Sequence, residues 1–127
     1  MITECFDTIG SFGFHLAPPG AFKCDYGYSV DVTECQDAVL AFATAAGATP
    51  GRSLQVGEGG TCLDHSWGEA PLGCSAQTGA GVDVDDLRYQ GSDWAAHYKL
   101  GDIDSGDGCN KGQFQLVCTN HGMLYFH

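Results

Sequence analysis

TECQDAVLAFATAAG, residues 33–47, has the clearest secondary-structure pattern in the chain. Its apolar residues recur at the three- and four-residue spacing of an α-helix: Cys35, Ala38, Val39, Phe42, Ala43 and Ala46. This pattern predicts a helix over residues 34–46 that buries one face against the rest of the protein. Because Cys35 belongs to that face, we expect its sulfur to point inward, towards a partner.

Both ends of this helix have recognisable signals. Thr33 and Gln36 have the spacing of a capping box, in which two side chains satisfy backbone N–H groups that the first turn leaves free. Gly47 follows the last apolar residue and is typical of a C-terminal cap, because glycine adopts the left-handed backbone conformation without strain. We therefore expect the helix to begin close to Thr33 and to end just before Gly47.

The rest of the chain favours short strands joined by glycine-rich loops. Strands are predicted at residues 26–32, 53–56, 73–77, 94–99, 113–118 and 123–127. The last two flank the turn TNHG, residues 119–122, as in a β-hairpin. The sequence thus predicts an α+β fold in which one main helix, about residues 34–46, lies on a short antiparallel sheet that ends in a C-terminal hairpin.

One domain, residues 1–127, is expected, because a chain of this length can bury a core of its own. Residues 1–24 are interpreted as an N-terminal arm, irregular or including a short strand, that packs on the body. The helix-plus-sheet body then covers residues 25–127.

The charge of the chain excludes several classes of partner. Sixteen acidic and five basic residues give a formal net charge of −11, and the basic residues are scattered. Nucleic acids and anionic lipids are bound through clustered lysine and arginine, so neither is an expected partner. No apolar stretch is long enough to span a bilayer, and we expect no membrane insertion. Protein surfaces, cations and glycans remain as candidate ligands.

Seven cysteines are spread along the chain, and no two of them form a C-x-x-C pair. They are Cys5, Cys24, Cys35, Cys62, Cys74, Cys109 and Cys118. Dispersed cysteines are typical of disulfides between distant segments, and they indicate an oxidising compartment, either extracellular or the lumen of an organelle. An odd number leaves one thiol over, and spacing alone does not give the connectivity.

The acidic segment GDIDSGDG, residues 101–108, is the best candidate for a metal site. Asp102, Asp104 and Asp107 place carboxylates along a glycine-containing loop, and calcium prefers six to eight oxygen ligands. The segment is not an EF-hand, because Gln113 occupies the position of the motif's last glutamate. A calcium loop of another kind and a solvated acidic turn therefore both stay open.

Two C-x-x-H units suggest a zinc site as a further hypothesis. Cys62 with His65 and Cys118 with His121 would supply the Cys2His2 ligand set that zinc prefers. Such a site requires both thiols to stay reduced, whereas the other cysteines are expected to form disulfides. The simpler interpretation of His121 is a residue of the hairpin loop.

No motif for catalysis is found. Cys5 as a free thiol, His97 as a base, and Asp93 and Glu69 as carboxylates are the candidate residues, but their spacing matches no nucleophile elbow or triad. A histidine on a predicted strand, such as His97, is more typical of a structural hydrogen bond. We therefore expect a protein that is not an enzyme and that holds no cofactor, with calcium as the single alternative.

Three aromatic residues are candidates for a ligand surface. Trp67, Trp94 and Tyr98 could stack against a sugar ring, since aromatic side chains combine a large apolar face with a polar edge. Packing in the core around Cys74 is the alternative, and it is favoured for Trp94.

The order of several short motifs resembles a known family. They are Trp67, Pro71, Gly73-Cys74-Ser75, DWAAHY at residues 93–98, and Leu116-Val117-Cys118, all after a Cys-bearing, alanine-rich helix. This order is similar to that of a cysteine-containing module of predicted extracytoplasmic proteins in phytoplankton, such as dinoflagellates, haptophytes and heterokont algae. The resemblance covers about residues 32–119. Lys99 replaces the family's usual asparagine, and residues 79–92 look like an insertion.

The resemblance implies a set of cysteine roles and a class of protein, but no chemical activity. It implies that Cys24, Cys35, Cys74 and Cys118 are core cysteines. Cys62 and Cys109 would then form an additional pair, which leaves Cys5 as a free or intermolecular thiol.

The function expected from these observations is that of a non-catalytic, disulfide-stabilised acidic module that binds a protein partner. It would serve as a structural or interaction subunit of a larger extracellular or lumenal assembly, such as a photosynthetic complex. The first alternative is a calcium-assisted carbohydrate-binding module that uses Asp102, Asp104 and Asp107 to bind a glycan. The second alternative is a small secreted hydrolase.

Overall fold

The structure, a computed structural model, describes residues 13–60, 67–81, 93–101, 110 and 112–120. Its elements are β1 (Phe14–Leu16), β2 (Tyr28–Ser29), α1 (Val32–Ala45), β3 (Gln55–Glu58), a 3-10 turn (Trp67–Glu69), β4 (Gly73–Ala76), β5 (Ala96–Leu100) and β6 (Gln115–Thr119). One helix packs on a six-stranded sheet, which confirms the predicted α+β class. The second strand of the predicted hairpin, residues 123–127, lies outside the described residues.

The strands are ordered β1-β6-β4-β5-β3, and β2 also pairs with β6. Every pairing is antiparallel except that of β3 with β5, which runs parallel from Gln55 opposite His97 to Glu58 opposite Leu100. The prediction of a wholly antiparallel sheet was therefore wrong at this edge. The chain between β3 and β5 includes β4, and this connection is long enough to return the chain to the same end of the sheet, as a parallel pair requires.

Helix α1 begins earlier than predicted, and a different residue caps it. Asp31 is the N-cap: its carboxylate accepts hydrogen bonds from the Val32 N–H at 2.9 Å and from the Thr33 hydroxyl at 3.0 Å. The predicted capping box of Thr33 and Gln36 was wrong, because the ionised Asp31 carboxylate takes the cap position and also favours the positive end of the helix dipole. Gln36 instead accepts a hydrogen bond from the Leu54 N–H at 2.7 Å.

The C-terminal end of α1 agrees with the prediction. Gly47 has φ +77°, the left-handed conformation that favours glycine. The Gly47 N–H donates to the Thr44 carbonyl at 3.0 Å, and the Ala48 N–H donates to the Ala43 carbonyl at 2.8 Å. These two bonds form a Schellman motif, which satisfies carbonyls that the last turn leaves free.

The main core lies between α1 and one side of the sheet, which we call the helix face. Its buried residues are Val30, Cys35, Ala38, Val39, Cys74, Ala76, Ala96 and Val117. The disulfide Cys35–Cys74 joins α1 to β4 inside this core, and both cysteines are fully buried. The predicted inward orientation of Cys35 is confirmed.

The opposite side of the sheet, which we call the loop face, is covered in part by residues 17–27. Ala17, Leu116 and Cys118 form a second buried cluster there, with Ala21 and Cys24 packed against it. The disulfide Cys24–Cys118 joins this loop to β6. Among the described residues, none of the helices has the length and hydropathy needed to cross a membrane.

Candidate functional site

A groove of about 430 Å³ opens on the loop face, next to the Cys24–Cys118 disulfide. Three separate segments form it, and the lining residues are Phe22, Lys23, Cys24, Gly27, Tyr28, Ser29, Leu72 and Leu116. Its floor is apolar, because the side chain of Leu116, on β6, is buried beneath the loop of residues 17–27. Residues from positions far apart in the sequence thus meet at one concave surface.

Pairing with β6 fixes one wall of the groove. Tyr28 lies opposite Thr119, and Ser29 lies opposite Cys118. The Ser29 hydroxyl accepts a hydrogen bond from the Cys74 N–H at 3.0 Å, which links this wall to β4. Gly27 has φ +77°, and a Cβ at this position would overlap the Thr119 carbonyl oxygen. Only glycine therefore allows the chain to approach β6 this closely before Tyr28.

The segment of residues 22–28, at the end of the loop and the start of β2, exposes three large aromatic side chains. Phe22 is 48% exposed, Tyr26 is 55% exposed and Tyr28 is 57% exposed. The other exposed large apolar residues among those described, Leu40, Val56 and Leu100, lie on three different elements. Exposed apolar residues are ordinary when scattered, whereas a cluster of them around a groove is typical of a binding surface.

A polar cluster lies beside the groove, at the start of β1. The His15 Nε2 and the Asp25 carboxylate form a hydrogen bond of 2.7 Å, and the Tyr26 ring stacks on the His15 ring with centroids 3.9 Å apart. This hydrogen bond from His15 lowers the pKa of Asp25, so the carboxylate is the acceptor and His15 the donor. The Sγ of Cys118 lies within 4.8 Å of a His15 ring nitrogen and of an Asp25 carboxylate oxygen.

The candidate catalytic residues do not lie in this groove. His97 is 8% exposed; its Nδ1 lies 3.3 Å from the Ala95 carbonyl oxygen, and its ring makes edge contacts with Trp67 and Phe114. Burial lowers the pKa of His97, so the neutral imidazole is favoured. The structure thus shows a histidine packed on all sides by these neighbours.

The two candidate carboxylates have different surroundings. Asp93 accepts a hydrogen bond of 2.6 Å from Arg52, and this guanidinium lowers the pKa of the Asp93 carboxyl. Glu69 is buried on the loop face, at the end of the 3-10 turn. Cys5, the candidate thiol, lies outside the described residues.

Ser75, which the sequence analysis did not consider for chemistry, is fully buried directly opposite His97 on β5. Its hydroxyl has no hydrogen-bond partner among the described residues. A serine next to a histidine is the arrangement in which a histidine can act as general base for a serine nucleophile. Because the serine is inaccessible to solvent, the described geometry provides no place for a substrate.

The three aromatic candidates do not form a common surface. Trp94 and Tyr98 pack, partly buried, against the core on the helix face. Trp67 lies on the other side of the sheet, against His97, and its ring occupies the space that a side chain at Gly57 would need. The exposed aromatic residues that line the groove are instead Phe22 and Tyr28.

The disulfides decide one of the metal hypotheses. Cys118 is bonded to Cys24, so the predicted Cys2His2 zinc site with Cys62, His65 and His121 was wrong for this state of the protein. A sulfur in a disulfide is no longer a thiolate and cannot serve as such a ligand. Other residues of metal or disulfide hypotheses, Cys62, His65, Asp102, Asp104, Asp107, Cys109 and His121, lie outside the described residues.

No family model matches the chain, and neither a curated protein nor a solved structure is significantly similar to it. The resemblance to the phytoplankton module therefore stays a prediction.

Proposed function

We propose that this chain is a non-catalytic interaction domain that binds a protein partner through the groove on its loop face. The observation that carries the proposal is that two half-exposed aromatic residues, Phe22 and Tyr28, line a groove beside the Cys24–Cys118 disulfide, with the exposed Tyr26 close to them in sequence. Aromatic residues contribute much of the binding energy in protein interfaces, because they bury a large area and lose little conformational freedom.

The lining of the groove favours a peptide over a sugar. Phe22, Leu72 and Leu116 give it an apolar character, and among the described residues Lys23 is the only charged one in the lining. The Ser29 hydroxyl is already engaged with the Cys74 N–H. Sugars need several free hydrogen-bonding groups around the aromatic platform, whereas a peptide can insert apolar side chains into such a groove.

Two disulfides support an oxidising compartment, because such bonds persist where thiols are not kept reduced. Within that class, the proposed location is extracellular or the lumen of an organelle. The acidic net charge of −11 favours a partner surface with basic residues around its apolar contacts. A subunit of a larger assembly, such as a photosynthetic complex, fits this description.

A peptide-display library tests the proposed site directly. Peptides enriched on the wild-type protein are measured against Phe22→Ala and Tyr28→Ala, and against Leu40→Ala and Val56→Ala as matched controls. The controls also remove about half-exposed apolar side chains, but away from the groove. We expect each groove variant to weaken binding by roughly 10–30-fold, as for aromatic hot spots, and each control to change it by less than about twofold.

The same variants decide between the proposal and its competitors. If the groove variants and the control variants lose peptide affinity equally, or if no peptide is enriched, the proposed protein-binding site is contradicted. A glycan array that is positive for the wild type and lost in Tyr28→Ala would favour sugar binding at the same groove instead.

The calcium-assisted carbohydrate-binding module stays the alternative, and its support is the alternating carboxylates of Asp102, Asp104 and Asp107 in the sequence. A ligand that binds only the native state raises the melting temperature. Millimolar calcium should therefore raise the melting temperature of the wild type and not that of an Asp102→Asn/Asp104→Asn variant. Equal melting temperatures with and without calcium contradict this alternative. The second alternative, a small secreted hydrolase, gains no support from the packing of His97.

A further inference from the structure

The Cys24–Cys118 disulfide has metal-ligand side chains beside it. The His15 Nε2, an Asp25 carboxylate oxygen and the Cys118 Sγ all lie within 4.8 Å of one another, and the Cys24 Sγ is bonded to the Cys118 Sγ. Two sulfurs, one imidazole nitrogen and one carboxylate oxygen form a four-donor set of the kinds that bind zinc in a tetrahedral site.

We propose that this disulfide and a zinc site are two alternative states of the same four residues. In the oxidised state Cys24 and Cys118 are bonded, and His15 hydrogen-bonds to Asp25. In the reduced state both thiolates, the His15 Nε2 and the Asp25 carboxylate bind one Zn²⁺. The ion then takes the place of the proton on the His15 Nε2, and the neutral imidazole carries its proton on Nδ1 instead, so that His15 releases no net proton. This proposal does not depend on the groove being a protein-binding site.

The conversion requires a dithiol reductant. One thiolate of the reductant attacks the Cys24 sulfur, the S–S bond breaks and Cys118 leaves as a thiolate. The second thiol of the reductant then displaces Cys24, so that the reductant is oxidised to a disulfide and two electrons pass to the protein cysteines. Zn²⁺ binds the two thiolates, and two protons from the reductant are released to solvent. Oxidation by a disulfide reverses the step and releases the metal.

Accessibility directs the reductant to this disulfide and not to the other one. Cys24 is half-buried and lines the open groove. Cys35 and Cys74 are fully buried in the apolar core, away from any reductant in solution. Among the described residues, His15, Asp25 and Cys118 are the only group of three metal-ligand side chains whose ligand atoms lie this close together. The Cys35–Cys74 bond is therefore a natural internal control.

The ligands remain close together when the disulfide opens, because other bonds hold their segments. His15 lies opposite Cys118 in the β1–β6 pairing. The loop that carries Cys24 and Asp25 is fastened at its start by the Ala17 N–H, which donates to the Leu116 carbonyl at 2.8 Å. The Asn110 side chain donates to the Ala21 carbonyl at 2.8 Å. Zinc binding to the native state would also offset part of the stability lost on reduction.

Alkylation mapping on the wild-type protein tests the proposal without any variant. The full chain is treated with a dithiol, freed of excess reductant under anaerobic conditions, and alkylated with and without ZnCl2. Mass spectrometry then locates the modified cysteines. We expect Cys24, the accessible member of the pair, to become reactive after reduction and to be protected by zinc, while Cys35 and Cys74 stay unmodified in both samples. A Cys24 that stays unreactive after reduction, or that zinc does not protect, would overturn the proposal.

A metal titration of variants tests the two ligands that are not cysteines. Cobalt replaces zinc as a coloured probe, because tetrahedral cobalt–thiolate sites absorb visible light. Removing outer-shell partners already weakens metal binding by roughly 10–100-fold, so we expect at least that loss for His15→Gln and for Asp25→Asn. Asp37→Asn, which removes an exposed carboxylate on α1, is the matched control and should bind cobalt as the wild type does. Unchanged affinity in both ligand variants would refute the assigned ligand set.

Discussion

In the part of the chain that the structure describes, one disulfide fastens each face of the sheet, and the surroundings of the two bonds differ. On the helix face, Cys35–Cys74 is enclosed by apolar side chains. On the loop face, Cys24–Cys118 lies between an open groove and the polar pair of His15 and Asp25. The comparison indicates that the first bond stabilises the core, whereas the second positions a surface and has neighbours able to take part in its chemistry.

Removing each disulfide separately gives the largest expected effects. The loops closed span 39 residues for Cys35–Cys74 and 94 residues for Cys24–Cys118. Chain entropy assigns them similar contributions, about 4 and about 5 kcal/mol, so the total free energy of unfolding does not distinguish them. Hydrogen exchange does: Cys35→Ala/Cys74→Ala should accelerate exchange in α1 and β4. Cys24→Ala/Cys118→Ala should accelerate it in residues 17–29 and leave α1 protected.

A matching pattern of exchange in the two double variants would contradict the division of roles between the faces. Urea denaturation of both variants, followed by far-UV circular dichroism, establishes first that each one still folds. Exchange is then compared at conditions where both are native.

Gly27→Ala should destabilise the loop face by about 2–4 kcal/mol. The left-handed backbone strains an alanine, and the new Cβ meets the Thr119 carbonyl oxygen of β6. Gly20→Ala is the matched control in the same loop: its φ is +87°, but no atom lies within 4 Å of the added Cβ. Gly20→Ala should lower the free energy of unfolding by about 1 kcal/mol, from the backbone conformation alone. Urea denaturation measures both, and equal losses would show that the close approach to β6 has no energetic weight.

The pH dependence of stability reports on the packing of His97 on the loop face. Burial lowers the pKa of His97 in the folded protein; the hydrogen bond to the Ala95 carbonyl opposes this shift, Arg52 adds to it and Asp93 opposes it. Below about pH 6.5 the unfolded chain binds a proton that the folded chain resists. Stability should therefore rise with pH up to that value and level off above it.

Variants with glutamine at this position isolate the effect. His97→Gln removes the titration, and His15→Gln removes a histidine next to the groove instead. Urea denaturation at several pH values should show a weaker dependence of unfolding free energy on pH in His97→Gln than in the wild type. An unchanged dependence would mean that the imidazole of His97 is not responsible.

The helix could be predicted from the sequence because its signals are local. The apolar spacing of residues 33–47 and the cap at Gly47 depend on neighbours within a few positions. The N-cap was missed by two residues, because Asp31 and Thr33 are both favoured cap residues and local spacing does not rank them. The parallel pairing of β3 with β5 was missed for another reason: it depends on how a long connection crosses the sheet, and strand patterns carry no such information.

The groove could not be predicted, because residues 22–29, Leu72 and Leu116 meet only in the folded chain. One signal was present: the segment AFKCDYGYS places three aromatic residues around a cysteine and a glycine. Alternation within it was interpreted as a strand over residues 26–32, whereas the observed strand is Tyr28–Ser29 and the helix begins at Val32. The pairing of Cys24 with Cys118 has no local signal at all, since 94 positions separate the two residues.

Strand β6 accepts pairing from β1, β2 and β4, although it is the last described strand in the chain. On a ribosome, residues 14–16 would emerge long before residues 117–119, their partners in the sheet. Until β6 is synthesised, β1 and β2 have no ladder to join and both faces of the sheet are incomplete. The sheet is therefore expected to complete its folding only after β6 has been translated. Folding should also be slow for a chain of this size, because the contacts of β6 with β1 and β2 are distant in sequence. Chaperones and oxidoreductases would meet the nascent chain with Cys24 still unpaired, because its partner Cys118 lies on β6.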